Sequence, residues 1–450
     1  MKFYEDKPSL RAMSINQVPD FILEEVFELL DRTKLLGLSQ ACKRWRRIIV
    51  PLFWRNFEDV VLYRRPLLLK ERGRLVRHLH VALNFTYRGL CGWELTLSHC
   101  PYLVSGTFEV RTIHELKQLF GVATSLLPHL TKLTLFIKFD MLVWPKDSKF
   151  LLGSIEELNI DFAHHLEVIS GDFFTPLQSI RLRRLTLSFH NFTELSLLQV
   201  IGDVFPRLTH FDISASFVET MISADKAPQF QYLRSLKFKS THILTDLDPI
   251  IIFGTSCQLP RLLCLEMDSG PRSLKSFQHF ALGSFWPLVT HLACDIGQHI
   301  SRTQLTNLAN ITHLNLRFES KKDSIGSIPM VLSALQHLTH VSFSGYISDA
   351  AFDFSPIRLP PNSIREIKLE GIQHLHRLFV AWLISLVYLQ KLTLVGCFDE
   401  LAFAPTRFPP RIRFPYLLYA RFPRDAIHFS AWIRRSAPDL NDCTQLPTYE

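Results

Sequence analysis

No Cys-x-x-Cys pair occurs in this chain, and none of its eight cysteines stands closer than seven positions to another. That scatter argues against a structural zinc site and against a disulfide framework, and it fits a reducing compartment. Cys91, His99 and Cys100 come nearest to a ligand set, and their spacing reads as buried thiols. Glycine is scarce, at 17 of 450 residues, so few positions let backbone wrap a phosphate closely. The chain contains no G-x-x-x-x-G-K-[ST], no G-x-G-x-x-G after a strand, no H-E-x-x-H and no G-x-S-x-G. Its neighbouring acids, such as Glu156 with Glu157 or Asp246 with Asp248, read as solvated faces rather than catalytic dyads. No catalytic residue, metal ligand or cofactor is therefore expected, and the chain reads as a non-enzyme. Long apolar runs are missing too. The longest, Leu378 to Leu389, falls short of the roughly 20 residues that cross a bilayer, so it reads as a buried helix and no membrane partner is expected. Glu5, Asp6 and Pro8 interrupt the place where a signal peptide needs an apolar run, which points to the cytoplasm or the nucleus. One-sign charge is absent as well: a net +8 spread over 450 residues does not demand nucleic acid.

What the chain does have is apolar material, 47% of its residues, in two patterns. The first lies in residues 14–57. Val18-Pro19-Asp20 opens a helix whose Ile22, Leu23, Val26, Phe27, Leu29 and Leu30 cover more than one face, a surplus that implies a second, intermolecular surface. Asp31 or Thr33 is placed to cap the next helix. Leu35, Leu38, Cys42, Trp45 and Ile49 then follow at helical spacing, and Pro51 is expected to end the pattern. Lys43, Arg44, Arg46 and Arg47 fall on the solvated side.

This stretch resembles the F-box. Val18-Pro19 is similar to its Leu-Pro start, Leu23 and Val26-Phe27 to its first-helix anchors, Cys42-Lys43-Arg44-Trp45 to its Cys-Lys-x-Trp segment, and Trp54 to its closing Trp. The resemblance implies docking on a Skp-family adaptor, through it a cullin, and a remainder of the chain that selects a protein substrate for ubiquitin transfer. The adaptor contacts it implies are Val18, Pro19, Leu23, Val26, Phe27, Leu36, Cys42 and Trp45. Residues 58–75, with almost no Gly or Ser, read as a stiff connecting strand and helix.

The second pattern is a repeat. From Leu130 onward the frame L-x-x-L-x-L recurs about its middle residues Leu133, Leu158, Leu185, Phe211, Leu236, Leu265, Leu292, Leu314, Val341, Ile367, Leu392 and Ala420, at steps between 22 and 29 residues. This resembles the leucine-rich repeat, and the expected fold is α/β: an N-terminal helical F-box followed over 76–450 by a horseshoe-like solenoid of parallel strands. One departure stands out. Where the family places Asn or Cys after each strand, only Cys397 conforms, so irregular turns are expected. Thr112 and Glu115 form a capping box, further helices precede Pro206 and Leu389, and a last helix capped by Asp425 is expected to cover the open end. A strand is placed near Glu94–Leu97, where the period fits poorly.

Side chains expected on the concave face mix signs: Glu157, Asp161, Arg184, Asp212, Lys237, Lys239, Glu266, Asp268, Arg317 and Lys368. No single-sign stripe emerges from them, and nucleic acid is not an expected partner. His291, His313 and His340 stand at one frame position in three consecutive repeats, each after a Thr, as does His210 earlier. They are expected to form a ladder about 4.8 Å in step. With Lys237 and Asp268 they are the candidate substrate-binding residues, and their contact is expected to loosen below about pH 6.5. The alternative reading is a non-catalytic repeat scaffold or nucleic-acid binder whose N-terminal helices only cap the array. A cap buries Pro19, Leu23 and Phe27 against the first repeat; a handle leaves them for another chain.

Overall fold

The computed structural model describes residues 15, 18–58, 67–81, 97–139, 149–162, 173–194, 196–222, 230–240, 259–268, 288–296, 310–318, 324–325, 327–354, 363–371, 377–396, 413–423, 427–440 and 442–446. They belong to two compact units, Met1–Phe136 and Ile137–Glu450.

The first unit starts with helices α1 (Asp20–Glu28), α2 (Arg32–Leu38) and α3 (Lys43–Arg55). Pro19 precedes α1, where its missing N–H leaves no intrahelical bond unmade. Of the two candidate caps for α2, Asp31 acts: its carboxylate accepts from the Lys34 N–H at 2.9 Å and from the Thr33 hydroxyl at 2.6 Å. These bonds, Thr33's first, hold the Asp31 carboxyl well below the usual range. Cys42 caps α3, its Sγ accepting from the Trp45 N–H at 3.4 Å. Pro51 does not end α3 as expected, because the helix runs on through it to Arg55. The next residue, Leu52, is buried in the core, and that packing offsets the one backbone bond Pro51 cannot make. Leu23, Phe27, Leu35, Ile49 and Leu52 form this core, with Trp45 meeting Phe27 edge-on at 5.4 Å. Each such side chain contributes about 1.5–3 kcal/mol through burial.

The sheet of the first unit begins directly at the end of α3. Strand β1 (Asn56–Glu58) pairs in parallel with β2 (His78–Val81), and β2 with β3 (Ser105–Val110); β4 (Lys132–Ile137) follows β3. Residues 56–58 thus belong to the sheet, a signal too short for periodicity to reveal. Helix α4 (Leu67–Arg72) lies within residues 58–75. Of the strand expected near Glu94–Leu97, residues 94–96 lie outside the described residues, and Leu97 is helical. Helix α5 (Ile113–Leu126) opens on the predicted box: the Thr112 hydroxyl accepts from the Glu115 N–H at 3.1 Å. The Glu115 carboxylate reaches one residue further back than the usual box, to the Arg111 N–H at 2.8 Å.

In the second unit β5 (Phe150–Leu151) and β7 (Leu177–Gln178) make a small separate sheet. The main sheet runs in sequence order through β6 (Glu157–Phe162), β8 (Arg184–Glu194), β9 (His210–Ile222), β10 (Ser235–Ser240), β11 (Cys264–Asp268), β12 (His291–Ile296), β13 (His313–Phe318), β14 (His340–Gly345), β15 (Glu366–Glu370), β16 (Lys391–Val395), β17 (Tyr419–Pro423) and β18 (Asp442–Leu446). Every pair is parallel, and the middle frame residues align, Leu236 with Leu265, Leu265 with Leu292, Leu292 with Leu314 and Leu314 with Val341. One strand per repeat, stacked open and in register, is an α/β solenoid of the leucine-rich-repeat kind. Alternate residues face the core, as the pattern of β6 shows, and leave the other face for solvent.

Among the described residues, four α-helices lie between these strands: α6 (Ser196–Val204), α7 (Ser327–Ala334), α8 (Arg377–Ser385) and α9 (Ile427–Ser436). The expectation that the last helix covers the open end needs correction, since β18 follows α9 and pairs with β17. Asp425, its expected cap, lies outside the described residues. Two devices join the repeats. Gly345 at the end of β14, and Gly371 and Gly396 just past β15 and β16, take the left-handed backbone region with φ of 92, 71 and 122°. The carboxylate of Asp349, in one repeat, accepts from the Leu378 and Phe379 N–H groups at 3.1 and 3.0 Å, so it caps α8 of the next.

Candidate partner-binding surfaces

The helical package offers the first surface. Its core is complete within its own three helices, yet Phe21, Ile22, Val26, Leu29 and Leu36 remain exposed, Leu29 at 85% of its full area. Ile22, Val26 and Leu29 recur at the i, i+4, i+7 spacing that lines one helix face. Among the expected adaptor contacts, Val26 and Leu36 belong to this exposed set and Pro19 is exposed beside it. Val18 and Trp45 are half-buried against the core, and Cys42 is exposed but occupied as a cap. Leu23 and Phe27 point the other way. At 2 and 3% exposure they are core residues, so any effect of theirs on an adaptor acts through folding rather than contact. The indole N–H of Trp45 is buried without a hydrogen-bond partner.

Basic residues of α3 hold this package together instead of forming a patch. Asp20 receives Arg44 at 2.6 Å and Arg47 at 3.0 Å, and the Arg44 hydrogen bond leads in pulling the Asp20 carboxyl below its usual range. Arg55 reaches Glu24 at 3.1 Å and also pairs with Glu28. Both sets tie α1 to α3. Being exposed, they fix geometry more than stability.

The second surface is the solvent face of the sheet in the 137–450 unit. His291, His313 and His340 align in register and stack, with ring centroids 3.9 and 4.0 Å apart at 15 and 8°. The rings sit closer than the strand spacing because they lean together. Behind each ring stands the preceding threonine, whose Oγ1 lies 2.9, 2.9 and 2.8 Å from Nδ1 of His291, His313 and His340. Each threonine hydroxyl also reaches a carbonyl of the previous repeat, Thr312 that of Thr290 at 3.3 Å and Thr339 that of Thr312 at 3.0 Å. A hydroxyl that gives its one proton to that carbonyl accepts from the imidazole, and this pattern corresponds to the Nδ1–H tautomer with Nε2 as an acceptor. Thr209 and His210 repeat the arrangement at 2.9 Å.

Burial first, then the neighbouring imidazoles, lowers the proton affinity of His291 and His313; Glu366 opposes this at His313. They hold the neutral form to lower pH than a free histidine. The row lines a shallow groove of about 340 Å³, with Ala293, Asn315 and Ser342 on its floor. Glu366 stands at one end, 3.6 Å from the His340 Nε2. At the other end Glu266 is paired with Lys237 at 2.6 Å, which places Lys237 one ion pair away from the groove. Asp268 lies on β11 opposite Lys239, one strand from His291. Among the described residues no three of His, Cys, Asp and Glu are placed to share a metal ion. Burial drives the Cys100 thiol up to about 12, which suits a core residue and not a nucleophile or ligand.

Sequence reasoning overlooked a third feature. Arg181, Arg183, Arg184, Arg207, Arg234 and Arg261 flank the first leucine of four consecutive frames and are all exposed. The signal is there as R-L-R-R-L, P-R-L, L-R-S and P-R-L, but all of it except Arg184 lies just ahead of the concave-face positions.

Comparison with known proteins gives one family and a set of distant structures. Residues 15–58 match the F-box-like family. No curated protein matches the chain. Among solved structures, the plant peptide hormone receptor RGFR1 in complex with RGF2 aligns at TM-score 0.36 and 14% identity, over 87% of this chain and 62% of that one. The mouse RP105/MD-1 complex aligns at 0.37 and 15%, over 83% of this chain and 67% of that one. The chain thus spans less than two thirds of the first of these. No helix among the described residues is long and apolar enough to cross a membrane.

Proposed function

We propose that this chain is a substrate-receptor subunit of a cullin–RING ubiquitin ligase, with residues 15–58 docking on a Skp-family adaptor and the repeat array binding a protein substrate. It is a non-catalytic role. The observation that carries it is the exposed apolar row Ile22, Val26 and Leu29, with Phe21 and Leu36, on an F-box-like package whose core is already closed. A package serving only as a cap has no use for that row. Leu23 and Phe27, which a cap buries against a repeat, are instead buried among the helices themselves. Apolar side chains at an interface centre dominate affinity while rim charges add little, so this row is the expected anchor.

The test is adaptor co-purification from cells. Val26→Lys with Leu29→Lys leaves the core untouched and places cations toward the C-terminal end of α1, where the helix tolerates them. Adaptor recovery is expected to be lost. Arg46→Ala with Arg47→Ala is expected to retain it. Equal recovery with the lysine pair overturns the reading.

A further inference from the structure

Within the 137–450 unit, the six arginines ahead of and within β8, β9, β10 and β11 make one continuous cationic edge. Backbone bonds fix their alignment: the Arg183 carbonyl accepts from the Thr209 N–H, the Thr209 carbonyl from the Arg234 N–H and the Arg234 carbonyl from the Leu263 N–H, each at 2.8 Å. Arg183 and Arg234 therefore sit in one line two strands apart. Arg184 is Cα-paired with His210, and both Arg184 and Arg234 act on His210 as cations that help lower its proton affinity, after burial. Arg181, Arg207 and Arg261 share the position before the first leucine, and the Arg261 guanidinium lies 4.8 Å from the centre of the Tyr232 ring in the same row. None of the six guanidinium groups forms an ion pair among the described residues.

The edge has boundaries. One repeat earlier the matching positions hold Glu156 and Glu157, and later repeats hold Thr290, Thr312 and Thr339. Over four strands the arginines span about 14 Å, three steps of about 4.8 Å, which an extended peptide crosses in roughly four residues. The backbone N–H groups beside them, those of Thr209, His210, Arg234 and Ser235, are all used by the previous repeat. A single phosphate cradled by amides is therefore not what this edge is built for. Separate guanidinium forks spread along a line match several carboxylates in succession, since each fork can take one carboxylate bidentately.

We propose that this arginine edge is the docking site for an acidic, Asp- or Glu-rich extended segment of the protein substrate. This rests on the receptor reading and names the substrate chemistry the array selects. The experiment uses the full-length chain and fluorescence anisotropy with a labelled Glu-rich peptide, its Gln-for-Glu twin, a neutral peptide bearing one phosphoserine, and a short single-stranded oligonucleotide. The Glu-rich peptide is expected to bind, to weaken as salt shortens the Debye length, and to lose about tenfold in affinity with Arg207→Gln, Arg234→Gln and Arg261→Gln together, at up to about fivefold per exposed charge contact. Arg365→Gln, at the frame position of Arg183 and Arg234 just ahead of β15, is expected to change nothing. Equal binding of the Gln twin, stronger binding of the phosphoserine peptide or oligonucleotide, or an unaffected triple variant overturns the proposal. Adaptor recovery by the native chain separates the two ideas: no binding of the Glu-rich peptide with the adaptor retained sinks only the arginine edge, and peptide binding without the adaptor sinks only the receptor reading.

Discussion

Gly345→Ala is expected to loosen the array at the β13–β14 step. Gly345 has φ of 92°, a conformation that costs a residue with a Cβ about 1–2 kcal/mol. Sterics add to this, because an added Cβ lies 2.0 Å from the Phe318 carbonyl oxygen and 3.0 Å from its carbon. Those atoms are backbone of β13 and cannot swing aside as a side chain does. Strain and displacement together come to about 3 kcal/mol or more, in the range of the larger single-site effects. Gly345→Asn separates the two terms. Asn tolerates the left-handed region, so conformational strain alone makes Asn much milder than Ala; a Cβ clash makes them equally damaging. The structure calls for the second result. Urea unfolding of the full chain followed by tryptophan fluorescence provides the readout, with Trp382 buried in α8 of the same unit. A midpoint for Gly345→Ala equal to the native one refutes the reasoning.

Gly121→Ala is expected to act oppositely, because Gly121 lies inside α5 with nothing within 4 Å of its added Cβ, and the gain is about 0.5–1 kcal/mol in the same unfolding experiment. Asp349→Ala removes the acceptor shared by the Leu378 and Phe379 N–H groups and is expected to cost about 1–2 kcal/mol, whereas Asp349→Asn retains most of the cap. For the histidine row the sign follows from the lowered proton affinity of His291 and His313: the folded state prefers neutral rings, so their contribution is complete above about pH 6.5, the unfolded value, and is lost as pH falls below it. Nitrogen NMR of labelled histidine should show the Nδ1–H tautomer at neutral pH, and replacing all three by Gln should flatten stability across mildly acidic pH. An Nε2–H tautomer or an unchanged pH profile defeats the assignment.

The repeat was legible because its information is redundant. Leu236, Leu265, Leu292, Leu314 and Val341 each say the same thing at a constant step, and one burial rule explains them all. The histidine row was legible for the same reason, since register turns equal spacing into contact. What stayed hidden is what occurs once. Strand β1 has three residues and no period, and β18 follows a helix that looked like an end. Pro51 misled because its penalty is local while the burial of Leu52 beside it depends on α1 and α2. In the first helix the sequence shows that Leu23, Val26, Phe27 and Leu29 are all apolar, but which of them face inward depends on where α3 lies. Only the packing separates the core pair Leu23 and Phe27 from the exposed Val26 and Leu29.

That separation bears on how the two proposed surfaces divide their work. A contact needed in every assembly can be apolar and fixed in advance, since burial is strong and indifferent to partner sequence; Ile22, Val26 and Leu29 fit that task. A contact that chooses among proteins needs directional groups whose mismatch is costly, because an unpaired charge or a like-charge encounter penalises the wrong partner. The arginine edge and the row of Nε2 acceptors are groups of that kind, the first at the starts of β8–β11 and the second on β12–β14 of one sheet. On a substrate that crosses the strands, the acidic stretch meets the arginines, and the next residues meet neutral imidazoles over Ala293, Asn315 and Ser342, where N–H donors and small apolar side chains fit. A substrate degron defined by mapping should therefore show acidic residues on one side only. An acidic run on both sides of its centre contradicts the order of these two features along the sheet.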